Sequence, residues 1–227
     1  MITVEDVYKT YTSGETEVRA LRGVTLGIEA GEFLSIAGPS GSGKTTLLNL
    51  IGSIDTADSG MIIIDGETVG EKDKRERALF RRNKLGFIFQ TYNLIPVLTA
   101  YENVSFALSL LKLEEREVRE RTMNILHEVG LHGMEDRLPA RLSGGQQQRV
   151  AVARALVKDP QIVLADEPTA NLDSGTGESI LELMRNLNER HGTTFIFSTH
   201  DKMVMDFARR LVNLHDGKIV SDERRTG

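Results

Sequence analysis

The sequence predicts an α/β fold with a mainly parallel sheet, and the clearest sign is the alternation of helices and strands after Gln148. A helical segment at 149–157 leads to an apolar strand at 162–165, and a second helix at 174–190 leads to a strand at 194–198. Strand–helix–strand alternation produces right-handed crossovers and parallel pairing. A chain of 227 residues suits one large domain and leaves little room for a second core.

The rest of the chain divides into a strand-rich first part and a helical middle. Short strands are expected early on, because apolar residues alternate with polar ones or form short runs bounded by turn residues. Helical periodicity begins near Thr99, and Gly130 is placed to end its main helix. Asp173 is expected to cap the helix that follows it. The predicted early strands are 24–28, 33–37, 61–64 and 85–89, and a last hairpin covers 211–214 and 218–220.

Composition and charge exclude several classes of protein. The net charge of −5 argues against a nucleic-acid binder that depends on a basic surface. Without cysteine, disulfides and thiol catalysis are excluded. The first residues resemble no signal peptide, and the most apolar stretch, 47–54, is far shorter than the roughly 20 residues of a membrane helix. The absence of cysteine fits a reducing cytosol, and the chain is not expected to span a membrane.

A glycine-rich loop between a strand and a helix predicts a phosphate-binding site. Its pattern, G-x-x-x-x-G-K-[ST], lets backbone N–H groups approach phosphates while the helix N-terminus adds positive charge. Lys44 is expected to reach the β- and γ-phosphates of a nucleotide, and the Thr45 hydroxyl to bind Mg²⁺. The predicted nucleotide-binding residues of this loop are Gly38, Pro39, Ser40, Gly41, Ser42, Gly43, Lys44, Thr45 and Thr46.

Two carboxylates end the apolar strand at 162–165. Asp166 is expected to hold Mg²⁺, and Glu167 to polarise an attacking water molecule as a general base. The pattern is weak by itself, since buried strands commonly end in acids. In a chain that also has a phosphate-binding loop, it predicts nucleotide hydrolysis.

The segment Leu142-Ser143-Gly144-Gly145-Gln146 predicts a second anion site at the start of a helix near Gln146. This segment is the signature of one family, so the chain resembles the ATP-binding subunits of ABC transporters over essentially its whole length. The resemblance implies a P-loop NTPase core with ATP and Mg²⁺ as cofactors. Ser143, Gly144, Gly145 and Gln146 would then contact nucleotide.

The resemblance also assigns roles outside these motifs. Gln90 matches the residue that touches Mg²⁺, water and the coupling interface, and His200 matches the histidine that contacts the γ-phosphate. Asp173 matches the nucleotide-contacting end of the D-loop, Asn171-Leu172-Asp173, in which Asn171 departs from the commoner alanine. Tyr11 matches the aromatic residue that stacks on adenine, although Tyr8 lies close enough in sequence to be confused with it.

The implied organisation is a single ABC-type domain over residues 1–227. Residues 1–90 and 158–227 would form an antiparallel β subdomain and the nucleotide-binding core, and residues 91–157 an inserted helical subdomain. The implied partners are a second copy of the chain, joined when ATP binds, and an integral membrane permease. No nucleic-acid partner is expected. The protein would lie in the cytoplasm, peripheral on the inner face of the cell membrane.

Two longer segments, 38–52 and 86–104, resemble the branch that serves lipoprotein release, macrolide export and cell-division permeases. That likeness favours export or mechanical work over uptake. Thr45 replaces the more frequent serine, which preserves the hydroxyl.

The alternative function is a soluble ABC-type ATPase of DNA repair or translation. Repair ATPases separate the glycine-rich loop from the signature segment by long coiled coils, and translation factors carry two cassettes in one chain. This chain has neither feature. His127, His132, His191 and His215 show no sequence spacing suited to a metal site, so they are interpreted as incidental.

Overall fold

The computed structural model describes residues 1–14 and 16–225, without the side chain of Ser13, and contains two sheets. The first sheet is antiparallel and has the strand order β2-β1-β4-β5. Bulges interrupt β1 between Val4 and Val7 and again near Lys9, which breaks the alternation that would have revealed this strand in the sequence. The strands are β1 (Ile2–Ser13), β2 (Thr16–Ile28), β4 (Ser59–Ile64) and β5 (Glu67–Thr68).

The second sheet has six strands in the order β10-β9-β3-β8-β7-β6. All neighbouring pairs are parallel except β10 and β9, which form the predicted closing hairpin. The central strands are buried along their whole length, as expected when helices cover both faces of a sheet. The strands are β3 (Phe33–Ala37), β6 (Leu85–Ile88), β7 (Ile162–Asp166), β8 (Thr194–Thr199), β9 (Arg210–His215) and β10 (Lys218–Arg224). The predicted α/β fold with a mainly parallel sheet is confirmed.

Seven α-helices accompany the sheets in the described residues. The charged helix at 74–84 was not predicted, because Phe80 is the one residue it buries and an apolar stripe is missing. The helix after the signature segment begins at Gly144, earlier than expected, because Ser143 and Gln146 form a capping box. The helices are α1 (Lys44–Ile51), α2 (Lys74–Lys84), α3 (Ala100–Ser105), α4 (Glu115–Glu128), α5 (Gly144–Leu156), α6 (Ser174–His191) and α7 (Lys202–Phe207).

The core forms two clusters on opposite faces of the six-stranded sheet. One contains Leu34, Ile36 and Ile196 and packs the sheet against α1 and the antiparallel sheet. The other contains Phe195 and Phe197 and packs it against α5, α6 and the helical middle of the chain. Because β3, β7 and β8 run parallel, their C-terminal ends lie at the same edge of this sheet. Among the described residues, no helix combines the length and the apolar character needed to cross a membrane.

Candidate functional site

The glycine-rich loop lies between β3 and α1, as predicted. At two of its glycines the surrounding backbone leaves no room for a side chain. A Cβ on Gly38 would lie 2.1 Å from the carbonyl oxygen of Leu214, and one on Gly43 would lie 2.4 Å from that of Ala20. Gly43 caps α1 with φ 104°, a conformation that L side chains rarely adopt. Gly41, with φ 80°, has open space where a side chain would project. The loop can therefore wrap a phosphate chain closely.

Lys44 places a buried positive charge at this loop. The residue is 7 % exposed, and its Nζ donates to the carbonyl oxygens of Gly38 (2.8 Å) and Pro39 (2.9 Å). No described carboxylate forms an ion pair with it. A buried charge without a counter-charge is costly, so the site favours an incoming anion.

Oxygen donors gather beside Lys44 from separate elements. The Thr45 hydroxyl, at the start of α1, lies 3.4 Å from both carboxylate oxygens of Asp166, at the end of β7. Gln90, two residues beyond β6, lines the same cleft. Carboxylate, hydroxyl and amide oxygens are the ligands that Mg²⁺ prefers, so these three residues fit that ion.

Glu167 is held by the side chain of the last residue of β8, Thr199, and by that of the next residue, His200. Its Oε1 lies 2.6 Å from Nδ1 of His200, and its Oε2 accepts a hydrogen bond of 3.0 Å from the Thr199 hydroxyl. Its backbone has φ 47°, an unusual conformation for a residue other than glycine. Such strain persists where surrounding structure enforces it, commonly at functional sites. Thr199 is a site residue that the sequence analysis missed, and its place at the end of a buried strand beside His200 was the available signal.

The segment after Gln90 is fixed by residues from distant elements. Arg154, on α5, donates to the backbone carbonyls of Tyr92 (2.7 Å) and Asn93 (2.5 Å). Asn171 donates through Nδ2 to the backbone carbonyl of Gln90 at 2.8 Å. Arg154 had no recognisable signal, because its partners are backbone atoms far along the chain.

Several of these side chains, among them Lys44, Gln90 and Glu167, line a cleft of about 480 Å³, within the range of roughly 300–1,000 Å³ typical of ligand sites. Tyr11 lies at the cleft and Tyr8 does not, and the Tyr11 hydroxyl donates to Asp55 at 2.9 Å. Burial and the carboxylate of Asp55 raise the pKa of the Tyr11 phenol. The cleft is lined by Tyr11, Val18, Ala20, Ser40, Gly41, Gly43, Lys44, Thr45, Thr46, Gln90, Glu167 and His200.

The signature segment lies outside that cleft. Ser143 caps α5: its hydroxyl accepts from the Gln146 N–H at 3.3 Å, and its own N–H donates to Oε1 of Gln146 at 3.0 Å. A Cβ on Gly145 would lie 2.5 Å from the side-chain methyl of Thr176, so any other residue there would force Thr176 to shift. No described residue of 143–146 is among those that line the cleft. Within one chain, the structure does not bring the two predicted anion sites together.

Asp173 also lies outside the cleft, where it caps α6 as predicted. Its carboxylate accepts from the Thr176 N–H (3.0 Å) and the Thr176 hydroxyl (2.6 Å). Those two hydrogen bonds hold the pKa of Asp173 below its usual range. Asp173 is exposed at the N-cap position of α6.

Comparison with known proteins matches residues 21–170 to the family described as "ABC transporter". An uncharacterised ABC transporter ATP-binding protein, MJ0796 of Methanocaldococcus jannaschii, is 46 % identical over 100 % of this chain and 98 % of its own length. A macrolide export ATP-binding/permease protein of Syntrophobacter fumaroxidans is 44 % identical over 100 % of this chain, which spans only 32 % of that relative.

Solved structures give the same result. The dimeric structure of the MJ0796 cassette superimposes with a TM-score of 0.91 over 100 % of both chains, at 46 % identity. A post-hydrolysis dimer of the same cassette, bound to ADP and Pi, gives a TM-score of 0.90. Fold, motif geometry and relatives agree, and the chain belongs to the ABC transporter family as one of its ATP-binding domains.

Proposed function

We propose that this chain binds and hydrolyses ATP in the cleft around Lys44, and that the energy drives a separate membrane permease. The buried ammonium of Lys44 carries this proposal, because an uncompensated positive charge beside a glycine-rich loop suits a polyphosphate. Tyr11, at the cleft and anchored through Asp55, stacks on the adenine base. Stacking of this kind contributes about 1–3 kcal/mol with little base selectivity.

The chain's own residues divide the chemistry between them. Lys44 and the N–H groups of the loop bind the phosphates and stabilise the charge that develops during transfer. Glu167 orients a water molecule and takes its proton, while Thr199 and His200 hold the carboxylate in place. His200 is exposed enough to turn toward the γ-phosphate when nucleotide is bound. Thr45, Asp166 and Gln90 would hold Mg²⁺, which neutralises phosphate charge when bound.

The nucleotide site is completed by a second copy of the chain. Residues 143–146 and Asp173 lie outside the cleft, so they can serve a nucleotide only from a partner. One solved relative, the MJ0796 cassette, is described as dimeric. We infer a symmetric pair in which ATP lies between the glycine-rich loop of one copy and the signature segment of the other.

The permease is a separate proposal within the same function. Relatives named as macrolide export proteins join ATP-binding and permease parts in one name, and this chain spans about a third of their length. We infer export, lipoprotein release or mechanical work, with the domain lying on the cytoplasmic face of the membrane. Residues 91–157 would form the helical subdomain that meets the permease beside Gln90. Recovery of the chain with a permease from solubilised membranes tests this inference.

Replacement of Glu167 tests the catalytic proposal directly. In Glu167→Gln the general base is lost while every phosphate contact remains, so we expect ATP hydrolysis to slow by about 10²–10⁴-fold. Nucleotide binding, followed by fluorescence titration, should stay at the level of the original chain. The matched control is Glu178→Gln, an exposed carboxylate on α6 outside the cleft, which should leave hydrolysis unchanged. Near-normal hydrolysis by Glu167→Gln would remove this residue from the mechanism.

A further inference from the structure

Three side chains from one short stretch of sequence, residues 127–135, converge at the end of α4. His127 lies in the last turn of this helix, and His132 and Glu135 lie in the turn that follows it. One ligand atom from each lies within 4.8 Å of the other two. We propose that these residues form a surface site for a borderline divalent cation of the Zn²⁺ type, separate from the nucleotide cleft.

The donor set selects the class of metal. Two imidazoles and a carboxylate are typical zinc ligands, whereas Mg²⁺ and Ca²⁺ prefer oxygen donors throughout. With three protein ligands, the fourth position of a tetrahedral ion is left to water. An incoming Zn²⁺ should therefore outcompete the Mg²⁺ that accompanies nucleotides.

The ligand atoms need to move only slightly to reach the distances that a bound metal requires. Bonds of about 2.0–2.1 Å at tetrahedral angles place two ligand atoms roughly 3.3 Å apart. Nε2 of His127 lies 3.3 Å from Oε1 of Glu135, so this pair already has the spacing that a metal requires. The ring of His132 stacks on that of His127, with centroids 4.5 Å apart. Because both imidazoles are exposed, the ring of His132 can rotate until one of its nitrogens reaches the same spacing from the other two ligand atoms.

The carboxylate is held in place before any metal arrives. Oε1 of Glu135 accepts a hydrogen bond of 3.0 Å from the N–H of Gly133, and φ 76° at Gly133 bends the turn so that this contact forms. The backbone carbonyl of Glu135 accepts from the N–H of Tyr101, in the first turn of α3, at 2.9 Å. Hydrogen bonds of this kind orient a metal ligand and improve affinity.

Metal binding at this site would link α4 to α3. His127 belongs to α4, and the turn that carries His132 and Glu135 supports the start of α3 through its backbone. None of the three lines the nucleotide cleft. The expected consequence of metal binding is therefore a more stable corner between α3 and α4, and not a change in the chemistry of hydrolysis.

Titration of the full chain with ZnCl₂, after chelator treatment and without nucleotide, tests the proposal. We expect one saturable site that excess Mg²⁺ does not displace, a tetrahedral absorption spectrum with Co²⁺, and a higher melting temperature. His127→Ala and His132→Ala each remove a direct ligand, so each should weaken binding by more than the roughly 10–100-fold that follows loss of an outer-shell partner. His132→Ala changes an exposed side chain, so it should fold even where a change at Glu135 does not.

The control is His215→Ala, which removes an exposed histidine that lies beside a carboxylate, Asp216 at 3.4 Å, but outside the cluster. It should bind Zn²⁺ like the original chain. Three results would overturn the proposal: the absence of saturable binding, binding that persists in His127→Ala and His132→Ala, or binding that His215→Ala abolishes. None of them bears on ATP hydrolysis, which is measured separately.

Discussion

At the scale of single residues, Asn171 connects two segments that lie far apart in the chain. Its Nδ2 donates to the backbone carbonyl of Gln90, and its own carbonyl accepts a longer bond of 3.4 Å from the Tyr92 hydroxyl. Four residues earlier in the same segment is Glu167. Asn171 therefore positions the Gln90 loop relative to the residues that follow β7, without itself lining the cleft.

We predict that Asn171→Ala lowers ATP turnover by about 2–10-fold, because a hydrogen bond of this type contributes about 0.5–1.5 kcal/mol. Asn171→Asp should have a similar effect, since the carboxylate keeps the shape but cannot donate to a carbonyl. Steady-state ATPase assays, with KM and kcat resolved, measure the loss. The control is Asn124→Ala, an exposed asparagine on α4. Unchanged turnover in both Asn171 variants would show that its hydrogen bond to Gln90 does not position a group needed for hydrolysis.

At the scale of elements, the N-terminus of α5 is exposed at Ser143 and closed by a capping box. The capping box between Ser143 and Gln146 satisfies N–H groups at the start of the helix, and Gly145 allows close contact with Thr176 of α6. The positive end of the helix is left free to meet an anion from outside. This arrangement is the structural basis for the proposed sharing of ATP between two copies.

We predict that Ser143→Arg, made in the Glu167→Gln background, binds ATP as a monomer but fails to form the ATP-dependent dimer. The bulky side chain would block the partner's phosphate without touching the cleft of its own chain. Glu167→Gln alone should be monomeric without nucleotide or with ADP and dimeric with ATP. If each of two nucleotides binds about 100-fold tighter to the closed pair, closure shifts by about 10⁴-fold. Size-exclusion chromatography with a binding titration measures both properties.

Loss of the helix cap is a separate consequence of that substitution, costing about 1 kcal/mol. Thr99→Ala provides the control, because Thr99 caps α3 with the same capping box and lies away from the signature segment. This variant should still dimerise with ATP. The proposal that two copies share each ATP is wrong if Ser143→Arg abolishes ATP binding by the monomer, or if the ATP-bound dimer survives this substitution.

At the scale of the whole molecule, Arg210 ties the two sheets together. This residue of β9 is 8 % exposed and donates to both carboxylate oxygens of Asp222 on β10, at 2.8 and 2.7 Å. Its Nη1 donates to Glu32 at 2.8 Å and to the backbone carbonyl of Gly27 in the antiparallel sheet. These hydrogen bonds hold the pKa of Asp222 below its usual range.

We predict that Arg210→Ala lowers the free energy of unfolding by about 2 kcal/mol, less than the roughly 3–5 kcal/mol of a fully buried pair because Asp222 is 37 % exposed. Arg121→Ala, which breaks an exposed pair with Glu117, should cost under about 1 kcal/mol. Urea denaturation measures both. Because the folded pKa of Asp222 lies below the unfolded value, its contribution is present above about pH 4 and is lost as the pH falls below that. Equal costs for the two variants would contradict this role of Arg210.

Local patterns were enough to predict the parallel half of the fold and most strand ends that carry chemistry. Runs such as 162–165 and 194–198 are buried on both faces, and their composition shows it without tertiary information. The strand β1 and the helix α2 were not predicted. Bulges hide the period of β1, and α2 buries too little to show an apolar stripe, so both depend on contacts made elsewhere in the fold.

The sequence by itself determined the family, the glycine-rich loop and the two carboxylates at the end of β7, because each of these is a contiguous pattern whose chemistry follows from its own residues. The tertiary structure alone decided which distant groups meet. It placed Tyr11 and not Tyr8 at the cleft, paired Glu167 with Thr199 and His200, and separated the signature segment from the loop. It also gathered His127, His132 and Glu135, which their spacing did not indicate. The physical reason is that turn geometry and strand register set such contacts through backbone conformation, which no short pattern of side chains records.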